Sequence, residues 1–108
     1  MNDRLDRFRK LKEQFPDNEM PRWSLATGLA DQGAHAEAID EFQELVALKP
    51  DYCVAWLHMG SCMIEEERLE EALVALETCR QLAIDQGHMA PRQEADMLIE
   101  QAREDLED

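Results

Sequence analysis

The sequence predicts an all-α fold, about six helices stacked as helix-turn-helix pairs, and three observations carry that prediction. Apolar residues recur every three or four positions in six successive stretches, the period of a helix with one buried face. Proline or glycine breaks the pattern at most of the boundaries, at Pro16, Gly33, Pro50 and Gly87. The stretch from Glu19 to Gln86 also reads as one 34-residue unit written twice: Pro16-Asp17 returns as Pro50-Asp51, Leu25 as Met59, Leu29 as Met63, Ala38-Ile39 as Ala72-Leu73, Phe42 as Leu76 and Leu48 as Leu82.

The first helix is expected over residues 2–14, where Leu5, Phe8 and Leu11 line one face and Arg and Lys fill the other. Pro16 ends it, because the residue before a proline avoids the helical region, and Asp17-Asn18 offers a cap to the next helix. The second helix is expected over 19–32, with Pro21 in its first turn and Leu25 and Leu29 facing inward beside the small residues Ala26, Gly28 and Ala30. Gly33 supplies the permissive backbone of the turn. The third helix, over 35–48, points Ala38, Ile39, Phe42, Leu45, Val46 and Leu48 inward, and Lys49-Pro50-Asp51 stops it and caps the fourth. The fourth, over 52–65, is apolar on most sides through Val54, Ala55, Trp56, Leu57, Met59, Met63 and Ile64, so it is either central or presents a face to a partner. The run Glu65-Glu66-Glu67-Arg68 makes the next turn, and a fifth helix over 69–85 carries Leu69, Ala72, Leu73, Leu76, Cys79, Leu82 and Ala83. A last helix over 90–106 sets Ala95, Leu98, Ile99, Ala102 and Leu106 on one side and acids on the other, the pattern of a cap that covers the end of a stack.

A period of 34 residues with this alternation of large and small side chains resembles the tetratricopeptide repeat, whose signature is W-x2-L-G-x2-Y, then A-x3-F, then P. The second unit carries it as Trp56, Met59, Gly60, Met63, Ala72 and Leu76, with Ile84 where the closing proline would stand. The first has Arg22, Ala26 and Leu29 in place of the tryptophan, glycine and tyrosine, but keeps Leu25, Ala38, Phe42 and Pro50. The resemblance implies a right-handed α-solenoid: a half unit over 1–18, full units over 19–52 and 53–86, and a capping helix over 87–108. Such pairs cannot bury their apolar faces alone, so neighbours must complete them.

Charge narrows the function. The chain of 108 residues carries a net charge of −14, which argues against nucleic acid and anionic membrane, since both are bound by cations. Residues 1–12 run the other way with a net of +3, which suits docking of a basic first helix onto an acidic body. The acidity also serves solubility, or adaptation to a salty cytoplasm. No apolar run approaches the roughly 20 residues of a membrane span, and the start MNDRLDRFRKLKEQF is charged throughout, so a cytoplasmic location is expected. Cys53, Cys62 and Cys79 are odd in number and lack CxxC spacing, which fits a reducing compartment and packed thiols.

In tetratricopeptide folds the first helix of each pair lines the concave face, where extended peptides or partner helices lie. The resemblance therefore implies partner contacts from Met20, Trp23, Thr27, Ala30 and Asp31 in the first unit and from Val54, Leu57, His58, Ser61, Ile64 and Glu65 in the second, with Trp23 and Leu57 as central anchors. Against this stand two other readings: the terminal helices cover these residues, or a second copy fills the groove in a self-associating structural module. One subset of the family, the carboxylate clamps, grips the C-terminal carboxylate of heat-shock chaperones with Lys, Asn and Arg. The matching positions here hold Trp23, Thr27, Val54 and His58, so a role as co-chaperone for such tails is not expected. A protein segment with apolar side chains, and basic ones to meet Asp31 and Glu65, suits better.

His58 and Cys62 share a helix face at metal-ligand spacing, which keeps a thiol or metal sensor among the alternatives, but no third or fourth ligand is evident in the sequence. The acids Glu65, Glu66, Glu67, Glu70 and Glu71 lack the alternating pattern and central glycine of a calcium loop and read as a solvated turn. No phosphate loop, nucleophile elbow or HExxH occurs. The expectation is a non-enzymatic adaptor without cofactor or metal that binds a protein or peptide on an apolar concave face.

Overall fold

The computed structural model describes residues 3–108 and contains α1 (Asp3–Gln14), α2 (Glu19–Asp31), α3 (His35–Leu48), α4 (Cys53–Glu65), α5 (Leu69–Gln86) and α6 (Met89–Glu107), with no strand among the described residues. The helices fall within one or two residues of the expected spans; the expected start of the first, at residue 2, lies outside the described residues.

The repeat is visible in the backbone bonds of the turns. At the end of α2, the Ala34 N–H donates to the Leu29 carbonyl at 2.9 Å and the Gly33 N–H to the Ala30 carbonyl at 3.0 Å. At the end of α4, Arg68 donates to Met63 at 2.8 Å and Glu67 to Ile64 at 2.9 Å, the same pair of bonds shifted by one unit. Both ends are Schellman caps, which require a left-handed residue just past the helix. Gly33 supplies it at φ 81°, Glu67 at φ 58°. The period also reaches α1: Phe15 N–H to Leu11 and Asn18 N–H to Phe15 have counterparts in Lys49 to Leu45 and Tyr52 to Lys49. Asn18 caps α2 by accepting from the Met20 N–H at 3.0 Å. The cap expected from Asp51 is not formed: Tyr52 occupies the N-cap of α4 without a side-chain bond, because the turn itself closes on Lys49.

Two layers result. The first helices of the pairs, α2, α4 and α6, meet one another in order, whereas the backbones of α3 and α5 do not come as close among the described residues. Closer spacing in one layer than in the other curves the stack, and the concave side is that of α2, α4 and α6. The core lies between the layers, and its largest fully buried side chains include Phe42, Leu25, Ile39, Leu45 and Leu76. Leu48, expected inward, is 37% exposed, since it ends α3 at the open edge of the outer layer. At the start of the stack, the basic α1 docks on acids of α3: Lys12 Nζ lies 2.7 Å from Glu41 and 3.5 Å from Glu44. At the other end α5 runs 18 residues against 14 for α3, about one extra turn, because Ile84 continues the helix where Pro50 stops it.

Candidate protein-binding site

The inner face is organised by rings. Trp23 of α2 stacks on Tyr52 with centroids 5.4 Å apart and planes 15° from parallel, and meets Phe42 edge-on at 6.1 Å. His58 of α4 stands edge-on to Trp23 at 5.2 Å and stacks on Phe42 at 6.1 Å. Phe42 is the buried floor of this cluster, and Trp23 and Tyr52 are half-buried upon it. Arrangements of this type contribute about 0.5–1.5 kcal/mol per pair beyond burial and hold their rings in fixed positions. Lys49 Nζ sits 5.7 Å above the Tyr52 ring and 3.4 Å from Glu19, so the mouth of the groove at the start of α2 and α4 carries its own cation.

Acids lie on the three helices of the inner layer. Asp31 of α2, Glu65 of α4 and Glu94 of α6 are exposed. Asp31 and Glu94 both act on His58, which places α2 and α6 on either side of α4 at this level. His58 keeps part of its ring open to solvent, yet loss of water beside the other aromatics dominates and lowers its pKa, while the two carboxylates pull the other way. Burial also raises the Tyr52 phenol, helped by Glu19 and opposed by Lys49.

The structure brings most of the expected residues to this face but not all of them to its surface. Met20 is 57% exposed at the start of α2, Trp23, Val54 and Ser61 are half-buried, and Asp31, His58 and Glu65 are open. The half-buried Thr27 spends its hydroxyl proton on the Trp23 carbonyl at 2.9 Å, which leaves it an acceptor toward solvent. Leu57 and Ile64 are 5% and 8% exposed. Neither is an accessible anchor: α6 packs beside α4, and the two side chains belong to the core that this packing completes. Tyr52 and Glu94 join the site without having been anticipated. Tyr52 sits one period after Asn18, at the first position of the expected fourth helix, and Glu94 lies on the helix read only as a cap. An aromatic at the start of the most apolar helix was the available signal for Tyr52.

The thiols are packed rather than poised. Cys53 Sγ lies 3.6 Å from Cys79 Sγ, and both are buried. Burial pushes Cys79 up to about 12 and Cys62 up to about 11, the latter helped by Glu65 and Glu66, so none of this favours a reactive thiolate. Among the described residues no three His, Cys, Asp or Glu side chains converge as a metal site, and no helix is long and apolar enough to cross a membrane.

Comparison with solved structures places this geometry among known repeat proteins. The chain superposes on the TPR2B domain of yeast Sti1, solved in its pHsp70 complex, with a TM-score of 0.87 at 18% identity, covering 94% of this chain and 81% of that one. It matches the type III secretion translocator chaperone SycD of Yersinia enterocolitica with a TM-score of 0.89 at 14% identity, over 96% of this chain and 72% of that one. Protein BPP2914 of Bordetella parapertussis gives 0.82 at 20% identity, over 97% and 91% of the two chains. At these identities the likeness is one of fold. Comparison with curated protein sequences gave no match. The tetratricopeptide repeat profile matches residues 29–90, more than half of the sequence. With the paired helices, the recurring caps and the curved two-layer stack, that match identifies the chain as a member of the tetratricopeptide repeat family.

Proposed function

We propose that this protein is a non-enzymatic adaptor of the cytoplasm that binds a segment of another protein along its inner face, and that the segment is apolar and basic. The observation that carries the reading is the Trp23–Tyr52–His58 cluster with Asp31 and Glu94 acting on His58 and Glu65 exposed about two turns further along α4: rigid rings offering area, with carboxylates set to meet cations. Aromatic side chains of this type are the usual anchors of protein recognition. Met20, at the open end of α2, adds an adaptable apolar contact. The solved neighbours include domains bound to heat-shock protein segments, which supports peptide binding as the use of the fold. The clamp positions Trp23, Thr27, Val54 and His58 offer no ammonium or guanidinium, so the chemistry favoured here is opposite in sign to carboxylate capture.

A nuclear magnetic resonance titration tests this reading. A short peptide of Arg, Lys and Leu should shift the Trp23 indole signal, and a variant with Asp31→Lys, Glu65→Lys and Glu94→Lys should lose the shift while staying helical, because all three positions are exposed. Equal binding by both proteins, or a preference for an acidic peptide, would overturn the proposal.

A further inference from the structure

The outer layer has a second groove, and its chemistry differs from that of the inner face. Between α3 and α5, whose backbones stand farther apart than those of the inner layer, a trough of about 400 Å³ opens over α4. Trp56, Met59 and Met63 of α4 form its floor, with Val46 and Ala47 on the α3 wall and Val74 on the α5 wall. Val74 is 65% exposed, the largest apolar exposure in the middle of any helix of the outer layer. Trp56 is fixed there by its indole N–H, which donates to the Pro50 carbonyl at 2.8 Å. The wall segments cover residues 43–47 and 71–75, somewhat more than one turn each, so the trough is as long as somewhat more than one helical turn of an occupant.

We propose that this outer trough docks an amphipathic helix of another protein, one that carries apolar residues on one face and lysine or arginine beside them. The space between two helices lying over a third is the shape that a further helix fills, by ridges set into a groove. Charge decides what kind of helix. The trough itself is lined by Glu71 and Gln43 beyond its apolar residues. At its mouth Arg68 is held by Glu71 at 2.6 Å, and Asp40 and Glu66 lie within electrostatic reach of the same guanidinium. Glu67 and Glu70, beside Arg68 in sequence, are exposed as well. Carboxylates outnumber the cation there, so a basic flank on the incoming helix is attracted and an acidic one repelled. A second copy of this chain is disfavoured by the same argument, since each copy brings a net charge of −14.

The two tryptophans make the test unambiguous, because Trp23 reports the inner face and Trp56 the outer one. The full chain, labelled with nitrogen-15, is titrated with a helical probe peptide of Leu and Lys and with its Leu and Glu counterpart. The lysine probe should shift the Trp56 indole, and the glutamate probe should leave it unmoved. Val74→Lys and Ala47→Lys each place a cation at an exposed wall position and should weaken the lysine probe about tenfold with the fold intact. An unmoved Trp56, a shift confined to Trp23, or equal response to both probes would overturn the proposal. A Trp56 shift that appears on concentrating the protein without peptide would assign the trough to a second copy instead, and overturn it too. Loss of the Trp23 response in the triple reversal variant with retention of the Trp56 response would separate this surface from the inner one.

Discussion

The two full units solve the same packing problem with different residues. In the second, Trp56 donates its indole N–H to the carbonyl of Pro50; in the first, Arg22 stands at the same place and donates Nη2 to the carbonyl of Pro16 at 2.9 Å. Arginine thus reproduces the bond that ties the first helix to the preceding turn, and adds an ion pair with Glu44 at 3.2 Å. It does so imperfectly, since Arg22 Nε is buried without a partner. The close approach of paired helices differs as well. A Cβ on Gly60 would come 2.6 Å from two atoms of the buried Leu76, whereas the first unit accepts Ala26 at the equivalent position. At the turns the advantage reverses, because the first unit has Gly33 in the left-handed conformation and the second forces Glu67 into it. A repeat is therefore conserved within this chain as a set of backbone bonds and contacts, more closely than as a set of residues.

That comparison can be broken where the units have unequal support. Phe42→Ala should cost about 3–5 kcal/mol in urea unfolding, as removal of a fully buried ring does. Phe8→Ala, one period earlier on a helix with no partner before it among the described residues, should cost clearly less because Phe8 is only half-buried. Equal losses would mean that α1 is as fully packed as α3. Next in size, Gly60→Ala should destabilise by about 1–3 kcal/mol through overpacking against Leu76. A neutral result would show that α4 can move away from α5.

The turns sharpen the same contrast with opposite signs. Gly33→Ala should lower stability by about 1 kcal/mol even though open space surrounds the position, because the cost is conformational. Glu67→Gly should be neutral to stabilising by up to about 1 kcal/mol, relief of the left-handed strain being offset by the freedom glycine adds to the unfolded chain. Matching signs in thermal melts of the two variants would contradict the equivalence of the turns.

The smallest expected effect separates the inner faces of the units. His58 titrates lower when folded, so between its unfolded value near 6.5 and its lowered folded value the unfolded chain binds more protons. Its contribution is complete above about pH 6.5 and is lost as pH falls through the folded pKa. His58→Gln should flatten that part of the stability profile, and an unchanged slope would assign it to other groups.

Much of this was legible in the sequence because a 34-residue period repeats its own evidence. Leu25 and Met59, or Phe42 and Leu76, vote together for one buried face, and the helix spans follow. Leu57 shows where that reading ran short. Its place on a first helix implied an anchor, against the alternative that a terminal helix covers it; the burial found matches that alternative and depends on how near α6 lies to α4, which no residue of the unit itself encodes. Tyr52 and Glu94 escaped for a related reason: each acts through a neighbour far along the chain, Trp23 in one case and His58 in the other. The outer trough arises from the wider spacing of α3 and α5, a property of the curvature and not of any motif.

On the proposed reading the inner face recruits a basic segment of another protein. The most direct test of that reading is affinity capture from native extract with the wild type beside the Asp31→Lys, Glu65→Lys, Glu94→Lys variant, followed by measurement of direct binding to whatever is retained. The account predicts a protein held by the wild type, released by salt through a lysine- or arginine-bearing segment, and lost with the variant. Identical retention by the two proteins, in spite of three reversed charges on α2, α4 and α6, would contradict it.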